Sequence, residues 1–199
     1  MGFVKKMEAA QIHILKGSTF LFSDERYKKK LLDLIFEQYR RNKWSLLAFC
    51  VTDSMVYLLS VTNKGLTIRE KLRETADEFL KWTSSEESLW YGNSKEIKVI
   101  EAEKLLALDD IVNCCCCIHY VPVHMGYTTE MCDYWWSSYN TYMGSYIWET
   151  VDCHAVFFYF SMNSIWARDK LRKYHGSLKF PVLYKTYLNG KYDAKMIKK

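Results

Sequence analysis

Residues Trp44 to Val61 read WSLLAFCVTDSMVYLLSV. Two apolar runs, Trp44–Val51 and Val56–Val61, flank the short polar connection TDSM. Their β-branched and aromatic content favours strands over helix, and the short connection makes an antiparallel pair the simplest arrangement. The fold is read outward from this pair.

Upstream, Gln11–Lys16 (QIHILK) alternates polar and apolar residues and then meets Gly17, the pattern of a strand ending in a turn. Ser23 opens SDERYKKKLLDLIFEQYRRN, with Ser23 as a candidate N-cap, acids in the first turn and Arg40–Arg41 in the last. Leu31, Leu32, Ile35, Phe36 and Tyr39 recur at helical spacing, so this segment is an amphipathic helix. Downstream, Asn63-Lys64-Gly65 closes the strand pair and a second helix is expected over 67–81. Glu96–Ile100 (EIKVI) reads as a strand and Glu101–Ile118 as a helix. Pro122–Ser145 reads as loop with short helical turns. Val151–Tyr174 carries helical signals interrupted near Asn163–Ser164, and the basic, tyrosine-rich tail after Pro181 suggests a hairpin turning at Asn189-Gly190. The order β-α-β-β-α-β followed by helices predicts an α+β fold: a ferredoxin-like, split βαβ antiparallel sheet with helices on one face, plus a C-terminal helical extension. Residues 1–145 would form the ferredoxin-type domain, and 146–199 the helices and basic tail packed on it as one structural unit.

The 199 residues are 49% hydrophobic and 16% aromatic, enough to fill a core, and 26% charged, as in an ordinary globular protein. No apolar run approaches the ~20 residues of a membrane helix. The N-terminal MGFVKKMEAAQIHIL lacks an apolar block with a small-residue cleavage site, so the expectation is a cytoplasmic protein with no membrane partner. The seven cysteines are odd in number and four of them, Cys114–Cys117, are consecutive, which suits free thiols in a reducing compartment better than a disulfide scaffold. Consecutive helical residues point ~100° apart, so those four fan around the axis and cannot converge on one tetrahedral ion. Cys115 continues the apolar stripe of Leu105, Leu108, Ile111 and Val112, and the four read as small buried hydrophobes. A zinc site would need His119, Cys132 or Cys153 to join them. No P-loop, G-x-G-x-x-G or H-E-x-x-H is present, and no cofactor is expected.

The segment Ile118–Gly144, IHYVPVHMGYTTEMCDYWWSSYNTYMG, resembles the signature of REP-associated tyrosine transposases, members of the HUH single-strand transposase group. In that family a helix runs into a Y-I-H-L-N-P-V-R-A-G-L-V stretch and then D-Y-x-W-S-S-Y-x-x-Y-x-G. Ile118, His119, Pro122, Val123, Gly126, Asp133, Tyr134, Trp136, Ser137, Ser138, Tyr139, Tyr142 and Gly144 fall in step with it. Val121 and His124 depart from the family's Asn and Arg. QIHILKG resembles the family's first strand, SDERYKKKLLDLI its first helix, and Ser88-Leu89-Trp90 its H-L-W. The likeness covers roughly residues 10–175.

The resemblance implies cleavage of single-stranded DNA near hairpins. Two histidines separated by one residue on a strand would hold a divalent metal that polarises the scissile phosphate, and a helix-borne tyrosine would attack it. Here the histidine positions align with Met55 and Tyr57, and the tyrosine position, anchored on Leu89-Trp90, falls between Thr75 and Glu78, where there is no tyrosine. Thioether and phenol are poor ligands for Mg²⁺ or Mn²⁺. The expectation is therefore a transposase-like protein, catalytically inactive, with no metal, that recognises hairpin or single-stranded DNA. Lys16, Arg40, Arg41, Lys43, Arg168, Arg172 and Lys173 are the candidate DNA contacts. The YWWSSY cluster reads as a fold brace or as a base-stacking surface. Two alternatives stay open: an interaction module that keeps the fold without nucleic-acid binding, whose sign would be an exposed apolar patch on the sheet, and an active strand-transfer enzyme with an unconventional site. Dimerisation through the sheet would suit the first two readings.

Overall fold

In the computed structural model, residues 10–17, 20–61, 68–86 and 96–188 are described, without the side chains of 101–103. The apolar pair around TDSM is an antiparallel hairpin of β2 (Ser45–Val51) and β3 (Met55–Val61). Its connection is tightened by Thr52, whose amide and hydroxyl both donate to the Met55 carbonyl. β3 pairs next with β1 (Ala10–Gly17), and β1 with β4 (Ile97–Leu105). The sheet order is β2-β3-β1-β4, antiparallel throughout, as the split βαβ reading expects.

Side chains alternate across a strand, and here both faces are buried. Val56 and Leu58 of β3 pack with helices α1 (Glu25–Asn42) and α2 (Ile68–Glu86), the two crossover connections. Met55, Tyr57 and Leu59 face the opposite way, into a core built by α3 (Leu108–His124), α5 (His154–Phe160), α6 (Ser164–Ser177) and α7 (Phe180–Tyr187). The short α4 (Tyr139–Met143) joins this second layer through Tyr142. The sheet thus carries the two crossover helices on one face and the C-terminal helices on the other. Among the described residues no apolar sheet face is left open for a partner, and the exposed sheet patch expected of an interaction module is not found there. A register shift between Leu46 and Ala48 puts Leu47 and Ala48 on the same side of β2.

Four boundaries differ from the sequence expectations. Helix α1 is capped by Asp24, whose carboxylate accepts from the Arg26 amide at 2.8 Å, while the Ser23 hydroxyl bonds back to the Phe20 carbonyl. β4 continues through the helix-favouring letters EAEKL, because pairing with β1 satisfies its backbone as far as Leu105; helix α3 therefore begins at Leu108 and not at Glu101. α2 extends to Glu86. The segment after Pro181 is not a hairpin arm but helix α7, with Pro181 in its first turn, where a missing N–H goes unused, and with Phe180, Tyr184 and Leu188 buried at spacings of four. Asn189-Gly190 and Asn63-Lys64-Gly65 lie outside the described residues.

Candidate functional site

The signature block is laid along the outer edge of β2. Two tyrosine hydroxyls, Tyr134 and Tyr142, donate to the carbonyls of Val51 and Leu47 at 2.7 Å each, and Ser138 between them meets Phe49. The Val51 amide donates to the Trp136 carbonyl and the Ser138 amide to the Phe49 carbonyl. A free edge strand is an invitation to pair with another chain, and here the edge is closed by side chains and backbone together. Tyr142 and Ser138 are fully buried; Trp135, about half exposed, rests against Tyr146 with ring centroids 4.2 Å apart. The block braces the fold.

Ser138 also starts a buried chain of imidazoles. His175 Nδ1 lies 2.8 Å from the Leu171 carbonyl and must donate to it, which leaves Nε2 to accept. His119 Nδ1 lies 3.3 Å from that Nε2 and donates, so His119 Nε2 accepts from the Ser138 hydroxyl at 2.9 Å. Ser138 Oγ in turn accepts from the Phe49 amide at 3.0 Å. Each group is satisfied with both rings neutral. Burial pushes His119 well below the usual histidine range, helped by the neighbouring His175, and pushes His175 down to about 4 against the pull of its bond to Leu171. The atoms echo a nucleophile, base and orienting group, but Ser138 is shut off from solvent and bonded into β2, so the chain links β2, α3 and α6 and offers no reacting centre. His119 is thus the packed, hydrogen-bonded histidine that its helix-end context suggests. Sequence reading missed His175, which is 56 residues away and had no local signal.

The positions aligned with the family's histidine pair are enclosed. Met55 is 1% exposed and Tyr57 0%, and the Tyr57 hydroxyl donates to the Met55 sulfur at 3.0 Å. Asp53, the nearest carboxylate in sequence, is engaged by Lys28 at 3.0 Å. A hard divalent cation does not fit this donor set, and among the described residues no three His, Cys, Asp or Glu side chains gather in a way that could hold a metal ion. Thr75–Glu78 sits on α2, whose Ala76 and Phe79 pack on the opposite side of the sheet. The segment expected to carry the nucleophile and the strand positions expected to carry the metal are therefore on different faces. The helix over Met55 and Tyr57 is α3. Ser88-Leu89-Trp90 lies outside the described residues.

Helix α3 is buried on every side through its middle, which explains the four cysteines. Cys114, Cys115, Cys116 and Cys117 are each 1% exposed or less, although they point in four directions. Burial raises every one of these thiols, Cys114 and Cys116 furthest.

The basic candidates do not converge on one surface. Lys16 ends β1 beside Met55 and Lys98. Arg40, Arg41 and Lys43 lie at the other end of the sheet, where β2 begins, about 20 Å away along a seven-residue strand. Arg41 pairs with Glu37, and Lys43 closes α1 in a left-handed conformation. Arg168, Arg172 and Lys173 belong to α6 on the opposite layer. There Arg168 donates to the Tyr142 carbonyl and lies over the Phe157 ring, Arg172 pairs with Asp169 at 3.4 Å, and Lys173 is exposed. Beside Arg172 two adjoining hollows of about 500 and 690 Å³ meet at Tyr120, His175 and Gly176.

Charge is spread unevenly along the sequence. Residues 154–199 hold ten of the 28 basic residues and two of the 23 acids, so this stretch is net +8 and the rest of the chain net −3. Within the described part of that stretch, Arg168, Lys170, Arg172, Lys173, Lys179 and Lys185 face Asp169 alone.

A scan of known protein families finds no match to the chain, and a search of curated proteins finds none either. Among the described residues no helix is long and apolar enough to cross a membrane. Among solved structures the chain is similar to a REP-associated tyrosine transposase bound to a REP hairpin, with 13% identity, a TM-score of 0.57, and coverage of 76% of this chain and 94% of that one. At that identity the likeness is one of fold, and it is the fold that the signature block suggested.

Proposed function

We propose that this protein is a transposase-like DNA-binding protein that recognises hairpin or single-stranded DNA and does not cut it. The observation that carries the reading is the pairing of a transposase-like fold with a sealed, metal-incompetent strand at Met55 and Tyr57. A phosphate cannot reach side chains that α3 covers, and the thioether and phenol there are poor ligands for a metal that would polarise it. The fold's similarity to a hairpin-bound transposase supports DNA as the partner, and the six basic residues against one acid over 154–188 support the C-terminal helices, with Arg168, Arg172 and Lys173, as the contact surface. Lys16, Arg40, Arg41 and Lys43, on the net-negative remainder and at separate corners, serve as secondary contacts at most. The seven free thiols suit a reducing, cytoplasmic setting.

Electrophoretic titration with hairpin and linear oligonucleotides at several salt concentrations tests the binding. Affinity should fall steeply as salt rises, since phosphate contacts dominate; no binding at low salt overturns the reading. Incubation of a hairpin-flanked single strand with Mn²⁺ tests the chemistry, and a trapped covalent adduct would establish an active enzyme instead. The reading as an interaction module is favoured by one observation, the exposed apolar side chains Phe158, Met162, Ile165 and Trp166 where α5 meets α6.

A further inference from the structure

Those side chains sit on the most basic part of the molecule. We infer that the corner between α5 and α6 is a stacking site for unpaired deoxynucleotides, with Trp166 as the platform and Lys170 and Lys173 as the phosphate contacts. The inference rests on the DNA-binding reading above and adds to it a place and a preference for unpaired bases.

Trp166 is 66% exposed and Met162, four residues before it, 91%. With Phe158 and Ile165 exposed beside them, these are clustered apolar side chains, and a cluster marks a contact site where a single exposed residue does not. Trp166 is also held rigidly: the Asn163 side chain caps α6 by accepting from the Ile165 and Trp166 amides at 3.0 and 3.2 Å. Ala167, Leu171 and His175 bury the far side of the helix, so its outer side cannot roll inward. Trp166, Lys170 and Lys173 follow one another at spacings of four and three and form one exposed stripe. Along the axis the two lysines lie about 6 and 10 Å from the indole's position. The Lys170 ammonium donates to the Phe160 carbonyl at 3.0 Å, which pins it near the apolar corner with donors to spare.

The occupant follows from chemistry. An open indole face offers a π surface that an unpaired base can cover, whereas the bases of a duplex already stack on each other. A phosphate chain running past that base would meet the lysines. A second copy of this chain is a poor occupant, because it would bring Lys170, Arg172 and Lys173 of one copy towards the same cations of the other.

Equilibrium binding of the full chain is measured with a single-stranded oligonucleotide, a hairpin with an unpaired loop, and a blunt duplex of the same length. The wild type should bind the unpaired substrates more tightly than the duplex. Trp166→Ala should weaken binding to them about tenfold or more and leave the duplex within about twofold, and Trp166→Phe should keep most of the affinity. Lys173→Glu should weaken all three alike and flatten the salt dependence. Wild-type-like binding by Trp166→Ala overturns the stacking site and leaves the DNA-binding reading intact, whereas failure of the wild type to bind any of the three overturns both. Sedimentation that shows a dimer dissociated by Trp166→Ala would assign the corner to self-association instead. Since Trp166 is exposed, unchanged circular dichroism is expected of the variants.

Discussion

The Tyr142 hydroxyl donates to the Leu47 carbonyl at 2.7 Å, joining two buried residues 95 positions apart. With the Tyr134 hydroxyl to Val51 and the Ser138 amide to Phe49 it forms a row of bonds to alternate carbonyls of one strand. Tyr142→Phe keeps the ring and strands the Leu47 carbonyl without its donor. Urea denaturation should show a loss of about 1–3 kcal/mol. Tyr134→Phe, nearer the surface, should lose less.

Stability should depend on pH below neutrality. His13 is buried on the α1–α2 side, with neither ring nitrogen hydrogen-bonded; burial first, and then the Arg69 charge, lower it to about 4. His175 is also near 4, and His119 lies well below the usual range. All three stay neutral in the folded protein while the unfolded chain takes up protons near pH 6.5. Their contribution is therefore complete above about pH 7 and is lost as pH falls from about 6.5 towards 4. A single histidine with that shift accounts for about 3 kcal/mol. Thermal melts across this range should show a falling Tm; a flat profile would mean that these rings reach water in the native state.

Restoring a histidine pair should not restore a metal site. Met55→His with Tyr57→His would put two imidazoles under α3, in the apolar cluster that packs these positions. Buried polar groups without partners cost about 1–3 kcal/mol each. The double variant should melt at a lower temperature than the wild type, and Mn²⁺ should not raise it. A clear stabilisation by Mn²⁺ would show that α3 can yield to a ligand.

Thiol reactivity should follow burial. Cys132 is exposed and Cys153 half-buried, whereas Cys50 and Cys114–Cys117 are buried. Under native conditions a thiol reagent should label Cys132 quickly and Cys153 slowly, because burial lifts the Cys153 thiol to about 12 and keeps it protonated. The other five should react only on unfolding. Fast labelling of any α3 cysteine would mean that the helix is less enclosed than described.

Gly144 closes α4 at φ +80°, and a Cβ there would lie 3.1 Å from the Arg168 guanidinium carbon. Gly144→Ala should lose about 1–2 kcal/mol from the left-handed backbone alone, read by the same denaturation measurement, and more if Arg168 must release the Tyr142 carbonyl.

Local order was legible where one residue's neighbours decide it. The β2–β3 pair and the amphipathic α1 follow from alternation and helical spacing. The β4 extension was not legible, since EAEKL favours helix and only its partner strand β1 makes it a strand. α7 had a signal in Pro181 at a helix start, outweighed by the basic, tyrosine-rich letters around it. The burial of Met55 and Tyr57 could be guessed from their letters, but that α2 lies across the sheet from them could not, because which face a crossover helix takes is a property of the whole topology. The dispersal of the basic candidates had the same cause: charge clusters are visible in one dimension, and their convergence is not.

The long reach of the β2 bracing also bears on synthesis. On a ribosome adding about 5–20 residues per second, β2 emerges and then waits roughly 5–20 s for Tyr142 to be made. During that interval its outer carbonyls have no partner in the chain, and LLAFCV is apolar and strand-forming. The nascent protein is thus most prone to pair with its neighbours before its last third exists, and slower translation would lengthen that exposure.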